Sequence, residues 1–256
     1  MTTGVSIRGL TTDLKTGLAF CTSLPLAPSA SASGADLARA SWTFPIIGAV
    51  VGAFGALVYW LADSVGLHPF VSGVLALAAT VLATGCLHED GLADTVDGFG
   101  GGATPDRKLE IMRDSSIGAY GASALALSLM LRAGAIASLA DPALVAPALI
   151  AAHAGARATL PIFMRLVPRA RHDGLSADAG RPPPMGAVLA GLLGVIALGL
   201  CLGLVGALDA LLLVAAATGL MAWLCLRQIG GQTGDVLGAL EQVSEILILL
   251  VAAVWL

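Results

Sequence analysis

Charge is scarce in this sequence. Only 12% of its 256 residues are Asp, Glu, Lys or Arg, against about 25% in a soluble domain. A surface wetted all round cannot be built from that supply, so most of the exterior must face something other than water. Aromatic residues are also few. Four Trp and two Tyr do not make a convincing aromatic belt at two membrane interfaces. The four cysteines, Cys21, Cys86, Cys201 and Cys225, stand alone without metal-ligand or redox spacing, and read as small apolar packing residues. Met1–Arg8 holds one basic residue, and no apolar core with a cleavage site follows it, so the segment is not read as a signal peptide. No internal repeat is visible, and no nucleic-acid partner is expected.

Long apolar runs are abundant. Thr43–Ala62, Leu67–Leu87, Ile117–Leu139, Ala143–Met164, Met185–Gly206 and Leu208–Leu226 are each about 20 residues, enough to cross a bilayer core of roughly 30 Å. Val243–Leu256 is shorter and reaches that length only if its helix starts near Val236. The expected fold is all-α: a polytopic transmembrane helix bundle of about seven spans. Abundant Gly and Ala in the spans allow close helix packing.

The basic residues orient it. Arg8, Lys15 and Arg39 precede the first span. Arg107, Lys108 and Arg113 lie between spans 2 and 3, Arg165, Arg169, Arg171 and Arg181 between spans 4 and 5, and Arg227 after span 6. The other connections hold none. Positive charge collects on the cytosolic side, which predicts a cytosolic N-terminus and a multi-pass protein of the cell (inner) membrane. The chain divides into an N-terminal cytosolic or interfacial segment (1–42), a cytosolic acidic loop (88–116) and a second cytosolic loop (227–242), all within one membrane domain over 1–256. Arg132 and Arg157 fall inside spans, where a charge is costly and faces protein or a water cavity. Arg132 reads as a structural charge packed between helices, Arg157 as an active-site residue.

The chemistry concentrates in His88-Glu-Asp-Gly-Leu-Ala-Asp-Thr-Val-Asp97 and the glycines after it. At about 100° per residue, Asp90, Asp94 and Asp97 share one stripe if the helix of span 2 continues, with Glu89 about 100° to the side. Carboxylates at about 4–6 Å repel by roughly 1 kcal/mol in water and by several at an effective dielectric near 20. Folding alone gives no reason for that arrangement; protonation or a bound cation does. Oxygen ligands without a thiolate point to a hard ion, Mg²⁺ or Mn²⁺, with Glu89, Asp90, Asp94 and Asp97 as its ligands. His88 reads as an interfacial histidine. Gly100, Gly101 and Gly102 can let backbone approach a phosphate. Downstream, Arg113 is the candidate to contact phosphate, Lys108 a second cation, and Asp114 a further acid. A second cluster, Gly230-Gly-Gln-Thr-Gly-Asp-Val-Leu-Gly238, offers Thr233 and Asp235 as polar ligands on the same membrane side. Glu241 and Glu245, four apart in the last span, are expected to line a cavity. His153, Arg157, His172 and Asp173 approach from that side too.

Three ordered segments, His88–Phe99, Arg107–Gly121 and Gly230–Gly238, resemble the signatures of the cobalamin synthase family, the adenosylcobinamide-GDP ribazoletransferases. The likeness runs over nearly the whole chain and includes Phe44-Pro45. One departure is Phe20-Cys-Thr-Ser23, where the family often carries an Arg at the last place. The resemblance implies a Mg²⁺-dependent membrane enzyme that joins adenosylcobinamide-GDP to α-ribazole, or its 5′-phosphate, and releases GMP. It places Glu89, Asp90, Asp94 and Asp97 in the acidic motif, Asp114 as the downstream acid and Asp235 in the Thr-Gly-Asp motif. The reaction is expected to be an in-line attack by the ribazole 5′-hydroxyl. Asp97 or Asp114 would take the proton, and Arg113 and Arg157 would hold phosphate oxygens. Two rivals stand beside this reading, a phosphotransferase of CDP-alcohols, echoed by Asp94-Thr-Val-Asp97-Gly98, and a cation-coupled transporter. A non-catalytic subunit of an assembly complex is a third. Oligomeric state stays open, a homo-oligomer included.

Overall fold

The computed structural model describes residues 7–24, 34–171 and 179–256. The described residues are almost wholly helical, with a single isolated β-bridge between Arg169 and Gln232. Helix α1 (Ile7–Cys21) is amphipathic. After it come α2 (Gly34–Ala40), a 3-10 turn (Ser41–Thr43) and α3 (Phe44–Ser64). Then follow α4 (Pro69–Thr84), α5 (Leu87–Gly101), α6 (Pro105–Ile111), α7 (Ala119–Leu139) and α8 (Pro142–Leu166). The chain closes with α9 (Pro184–Ile229) and α10 (Gly234–Trp255).

The starts of these helices are written locally. The Asp141 side chain accepts the Ala143 N–H and Thr104 accepts that of Arg107, each with a proline at the first helical position. Thr233 does the same for Val236 at the head of α10. Such oxygens satisfy amide groups that have no partner inside the helix, and proline there forgoes only an N–H that was already orphaned.

Helix α8 is the hub, packed on α3, α9 and α10. Gly52 of α3 lies against the α8 backbone so closely that a Cβ would stand 2.8 Å from the Ile150 Cα. Small residues at such crossings replace the hydrophobic drive that lipid cannot supply. Lipid-facing side chains such as Leu200, Leu204 and Leu212 are correspondingly exposed.

Five helices are long and apolar enough to cross a membrane, or six if α4 and α5 together form one broken span. The sequence reading expects about seven, and two backbone breaks account for the difference. Gly203, with φ 69° and ψ −178°, interrupts α9. Its 46 residues would otherwise reach about 69 Å, far beyond one bilayer crossing, so the two expected spans 185–206 and 208–226 are one run bent at this glycine. The expected span 67–87 ends earlier, at Thr84. There Gly85 and Cys86 both adopt left-handed backbone (φ 63° and 59°), and the chain turns by 89° into α5. The segment 88–116, expected as a loop, is therefore mostly helix. The connections rich in Arg and Lys meet at one end of the bundle, where Lys108 reaches Gln228 and the 168–170 strand pairs with Gln232.

Candidate active site

The site forms where α5 runs antiparallel to the first turns of α10. Two glycines set the distance. A Cβ on Gly91 would stand 2.8 Å from the Asp235 carbonyl oxygen and 3.1 Å from the Gly238 Cα. A Cβ on Gly238 would meet the Gly91 Cα at 3.1 Å. With no side chain on either face, the backbones touch. Asp90 and Asp94 of α5 are thereby brought into the field of Asp235 at the head of α10.

Asp235 is held by its neighbours. Its Oδ2 accepts from the Thr233 hydroxyl at 3.1 Å and from Arg171 Nη2 at 3.3 Å. The turn that carries it is pinned to the chain before Arg171, since Gln232 N donates to Pro168 O (2.8 Å) and Ala170 N to Gln232 O (2.9 Å). Asp90 is exposed and Asp94 half-buried. Among the described residues neither has a hydrogen-bond or ion-pair partner, although Asp90, Asp235 and Asp97 all act on Asp94 with like charge, opposed by Arg171.

Two clefts open along α5, and Asp90 lines both. The more polar of the two is walled by Glu89, Asp90, Asp94, Arg113 and Asp114 beside apolar side chains such as Val81, Ile117 and Leu129. The other is an apolar cup of about 260 Å³ between α1, α3, α5, α8 and α10, with Asp90, Asp235 and Arg171 among its lining groups.

The remaining candidates are placed differently from one another. Asp97 is buried and caps α7: its Oδ2 accepts the Gly118 N–H at 2.7 Å and its Oδ1 that of Gly121 at 2.8 Å. Both oxygens thus already serve the fold. Asp114 is fully exposed, and the Ser116 backbone N–H bonded to its Oδ1 (3.0 Å) holds its carboxyl below the usual range. Lys108 is buried with Nζ donating to the Phe99 carbonyl (3.3 Å) and to Gln228, where it ties α5 to α6 and α9 and not to an open cleft. Gly100, Gly101 and Gly102 also stand outside the walls of both clefts. Gly100 and Gly101 form the last turn of α5, and Gly100 lies under the Tyr120 ring. A Cβ on Gly102 would stand 2.9 Å from the Lys108 Cα. Their smallness is spent on packing, not on a phosphate cradle. Thr233 caps α10 while orienting Asp235.

Deeper in the bundle lies a buried charge network. Arg132 Nη1 bonds Glu89 Oε1 (3.2 Å) and Glu245 Oε1 (3.0 Å). Arg157 Nη1 pairs with Glu241 Oε1 at 2.6 Å and also reaches His153 Nδ1 at 3.0 Å. His153 Nδ1 lies 3.0 Å from Glu245 Oε2, and Gln242 Nε2 donates to both Glu89 and Glu241. His88 is buried here too, 3.8 Å from Glu241, and not at an interface. Arg157, expected at a phosphate, is 1% exposed and lines neither cleft. An ionised side chain in an apolar slab requires counter-charges, and the glutamates of α10 supply them. Glu89 belongs to both regions, bonded to Arg132 on one side and lining the polar cleft on the other.

Two groups could hold a metal ion. His153, Glu241 and Glu245 offer ligand atoms within 4.8 Å of one another, but Arg132 and Arg157 already neutralise those carboxylates. Asp90, Asp94 and Asp235 offer only carboxylate oxygens, less closely gathered than that trio; Asp94 lines one cleft, Asp235 the other and Asp90 both, and among the described residues Asp90 and Asp94 have no partner. That donor chemistry fits a hard divalent cation, and it is the better site. His172 and Asp173 lie outside the described residues. The sequence reading missed Gly91 and Gly238, which carry no functional group, and Arg171, which looks like any other cytosolic arginine. The signal available for the glycines was their place on the carboxylate faces of α5 and α10.

Residues 13–253 match the family model described as cobalamin-5-phosphate synthase. A protein of Bradyrhizobium diazoefficiens named adenosylcobinamide-GDP ribazoletransferase is 54% identical, over 97% of this chain and 95% of its own. Its namesakes in Mesorhizobium japonicum and Ralstonia nicotianae are 52% and 38% identical, over 98% of this chain and 96% and 98% of theirs. No solved structure matches the chain. Both the acidic α5 and the Thr-Gly-Asp turn of α10 fall within the matched region, and the chain belongs to the cobalamin-5-phosphate synthase family.

Proposed function

We propose that this protein joins adenosylcobinamide-GDP to α-ribazole or its 5′-phosphate, releasing GMP and forming adenosylcobalamin or its 5′-phosphate, at the cytosolic face of the cell membrane. The observation that carries this reading is the gathering of Asp90, Asp94 and Asp235 where α5 packs on α10, Asp90 and Asp94 without a partner among the described residues, in a chain with full-length relatives named for that reaction. The alternating placement of the basic connections supports the cytosolic assignment.

Mg²⁺ held by Asp94 and Asp235 would neutralise the pyrophosphate and the departing GMP, leaving Asp90 free to take a proton. Phosphoryl transfer otherwise asks the protein for positioning and charge stabilisation. In the transfer, the anhydride bond to GMP breaks and a bond forms between the cobinamide-side phosphorus and an acceptor hydroxyl oxygen. The expected attack by the 5′-hydroxyl fails on chemical grounds, because the 5′-phosphate has no free hydroxyl there and its product retains that phosphate. The attacking group is therefore a hydroxyl of the ribose ring. Its proton goes to an Oδ of Asp90, the carboxylate shared by both clefts. Asp97 is committed to two backbone amides, and Asp114 accepts the Ser116 N–H and lines only one of the two clefts. Arg113, in the polar cleft wall, can hold a phosphate oxygen. The assay is GMP release by purified protein in lipid with both substrates and Mg²⁺. Turnover that survives a chelator would remove the metal from the reading, and no turnover under any condition would remove the activity.

A further inference from the structure

We infer that the apolar cup is the acceptor site: it takes the benzimidazole base of α-ribazole, while the polar cleft along α5 takes the pyrophosphate of the donor. This rests on the activity proposed above and says which substrate enters from which side.

The walls decide the class of ligand. Phe20 and Phe44 stack with ring centroids 5.7 Å apart and planes 11° from parallel, and with Leu87, Leu160, Met164 and Leu237 they line the cup. Its polar groups are confined to His88, Asp90, Arg171 and Asp235. A cavity of about 260 Å³ lies just below the usual small-ligand range of roughly 300–1,000 Å³, a size for one bicyclic ring and not for a macrocycle, and the apolar lining with a few convergent polar groups is the usual pattern.

Three chemical pieces compete for this space. The corrin is a broad macrocycle rimmed with amide arms, each of which would lose its water against these walls without gaining a partner. Guanine carries donors and acceptors around its edge and would face the same loss. The dimethylbenzimidazole of ribazole has an apolar edge with two methyl groups and no ring N–H, and a flat face suited to an aromatic wall. Of the three it carries the fewest polar edge atoms, a single imidazole nitrogen that can accept one hydrogen bond. With the base in the cup, the ribose lies toward Asp90 and Asp235. Because Asp90 also lines the polar cleft, an acceptor hydroxyl presented there meets the phosphorus of a donor bound in that cleft. In-line displacement needs the attacking oxygen and the departing GMP on opposite sides of the phosphorus, and substrates entering from two separate clefts can meet in that way.

The test is a kinetic split. In the full-length protein in lipid with Mg²⁺, Leu160→Trp fills the cup, and Met164→Gln makes its wall polar with little change of volume. The expected result for each is a KM for α-ribazole raised about tenfold or more, with no matching rise in KM for adenosylcobinamide-GDP. A donor KM that rises as much as the acceptor KM would overturn the assignment. If Leu160→Trp does not fold, Met164→Gln and a measurement on the wild type decide. GMP is expected to compete with the donor and not with α-ribazole; competition with α-ribazole would place the guanosine in the cup and refute the inference. Wild-type protein that turns over normally while failing these tests leaves the proposed activity standing. Absence of turnover in the wild type takes both down.

Discussion

Gly91→Ala is the sharpest probe of how this site is assembled, because it adds one methyl group and removes no chemistry. The new Cβ would stand 2.8 Å from the Asp235 carbonyl oxygen and 3.1 Å from both the Asp235 and Gly238 Cα atoms. Carbon contacts are comfortable at about 3.5–4.0 Å, so α5 and α10 must part by roughly 0.5–1 Å. Two energies oppose each other in stability. Alanine gains up to about 1 kcal/mol of helix propensity, while overpacking costs about 1–3 kcal/mol, so the net loss stays near 0–2 kcal/mol and the protein folds. Activity has no such compensation. Misplacing catalytic groups by about 1 Å can cost on the order of 10²-fold, and the methyl presses on the backbone of Asp235 itself. The expected result is a protein with near wild-type thermal stability in lipid, GMP release slower by about two orders of magnitude, and half-saturation by Mg²⁺ at higher concentration. Gly134→Ala in α7 is the control, since nothing lies within 4 Å of its Cβ position, and it should be as active as wild type. Gly91→Ala with wild-type turnover and metal dependence would refute the argument that this contact builds the site.

Three further outcomes follow from the geometry. Asp94→Asn should abolish most turnover while leaving thermal stability unchanged or higher, since it relieves like-charge crowding. Asp97→Asn, which keeps one of two capping oxygens, should lower stability by about 1–2 kcal/mol; the reverse pattern of losses would exchange their roles. Arg132→Ala leaves Glu89 and Glu245 buried without their cation, which costs about 3–5 kcal/mol and should show as a large fall in melting temperature, whereas an unchanged melting curve would contradict the network. Asp114, already ionised well into the acid range, should not set the acid limb of the pH–rate profile, so Asp114→Asn should leave that limb where it is; a shifted limb would return Asp114 to the role of base.

Much of this was legible in the chain. Hydropathy gives the helical membrane class because a 20-residue apolar run has few other uses, and the 3.6-residue period placed Asp90 and Asp94 on one stripe. Both clusters converge at one end, as the alternation of basic connections required. What could not be read was partnership. Periodicity assigned Asp97 to the same stripe as Asp94, yet its carboxylate turns to the amides of Gly118 and Gly121 on α7. Arg157 and Arg113 are the same residue type near the same membrane face, and only depth separates an ion-paired core charge from a cleft wall. The glycine run at 100–102 carries the composition of a flexible loop, but composition does not say whether bareness serves a ligand or a neighbouring helix. The break at Gly203 depends on one backbone torsion, which hydropathy averages away.

The ion pairs in the bundle interior have a consequence for how the protein is made. Arg132 and Arg157 emerge from the ribosome with α7 and α8, while Glu241 and Glu245 follow only with α10. During synthesis the two guanidinium groups must wait at the translocon with Glu89 as their sole acidic companion from the network until the final segment arrives. The pairing opened by α7 and α8 is therefore closed only by α10, and a chain cut short before it would leave both guanidinium groups without those glutamates.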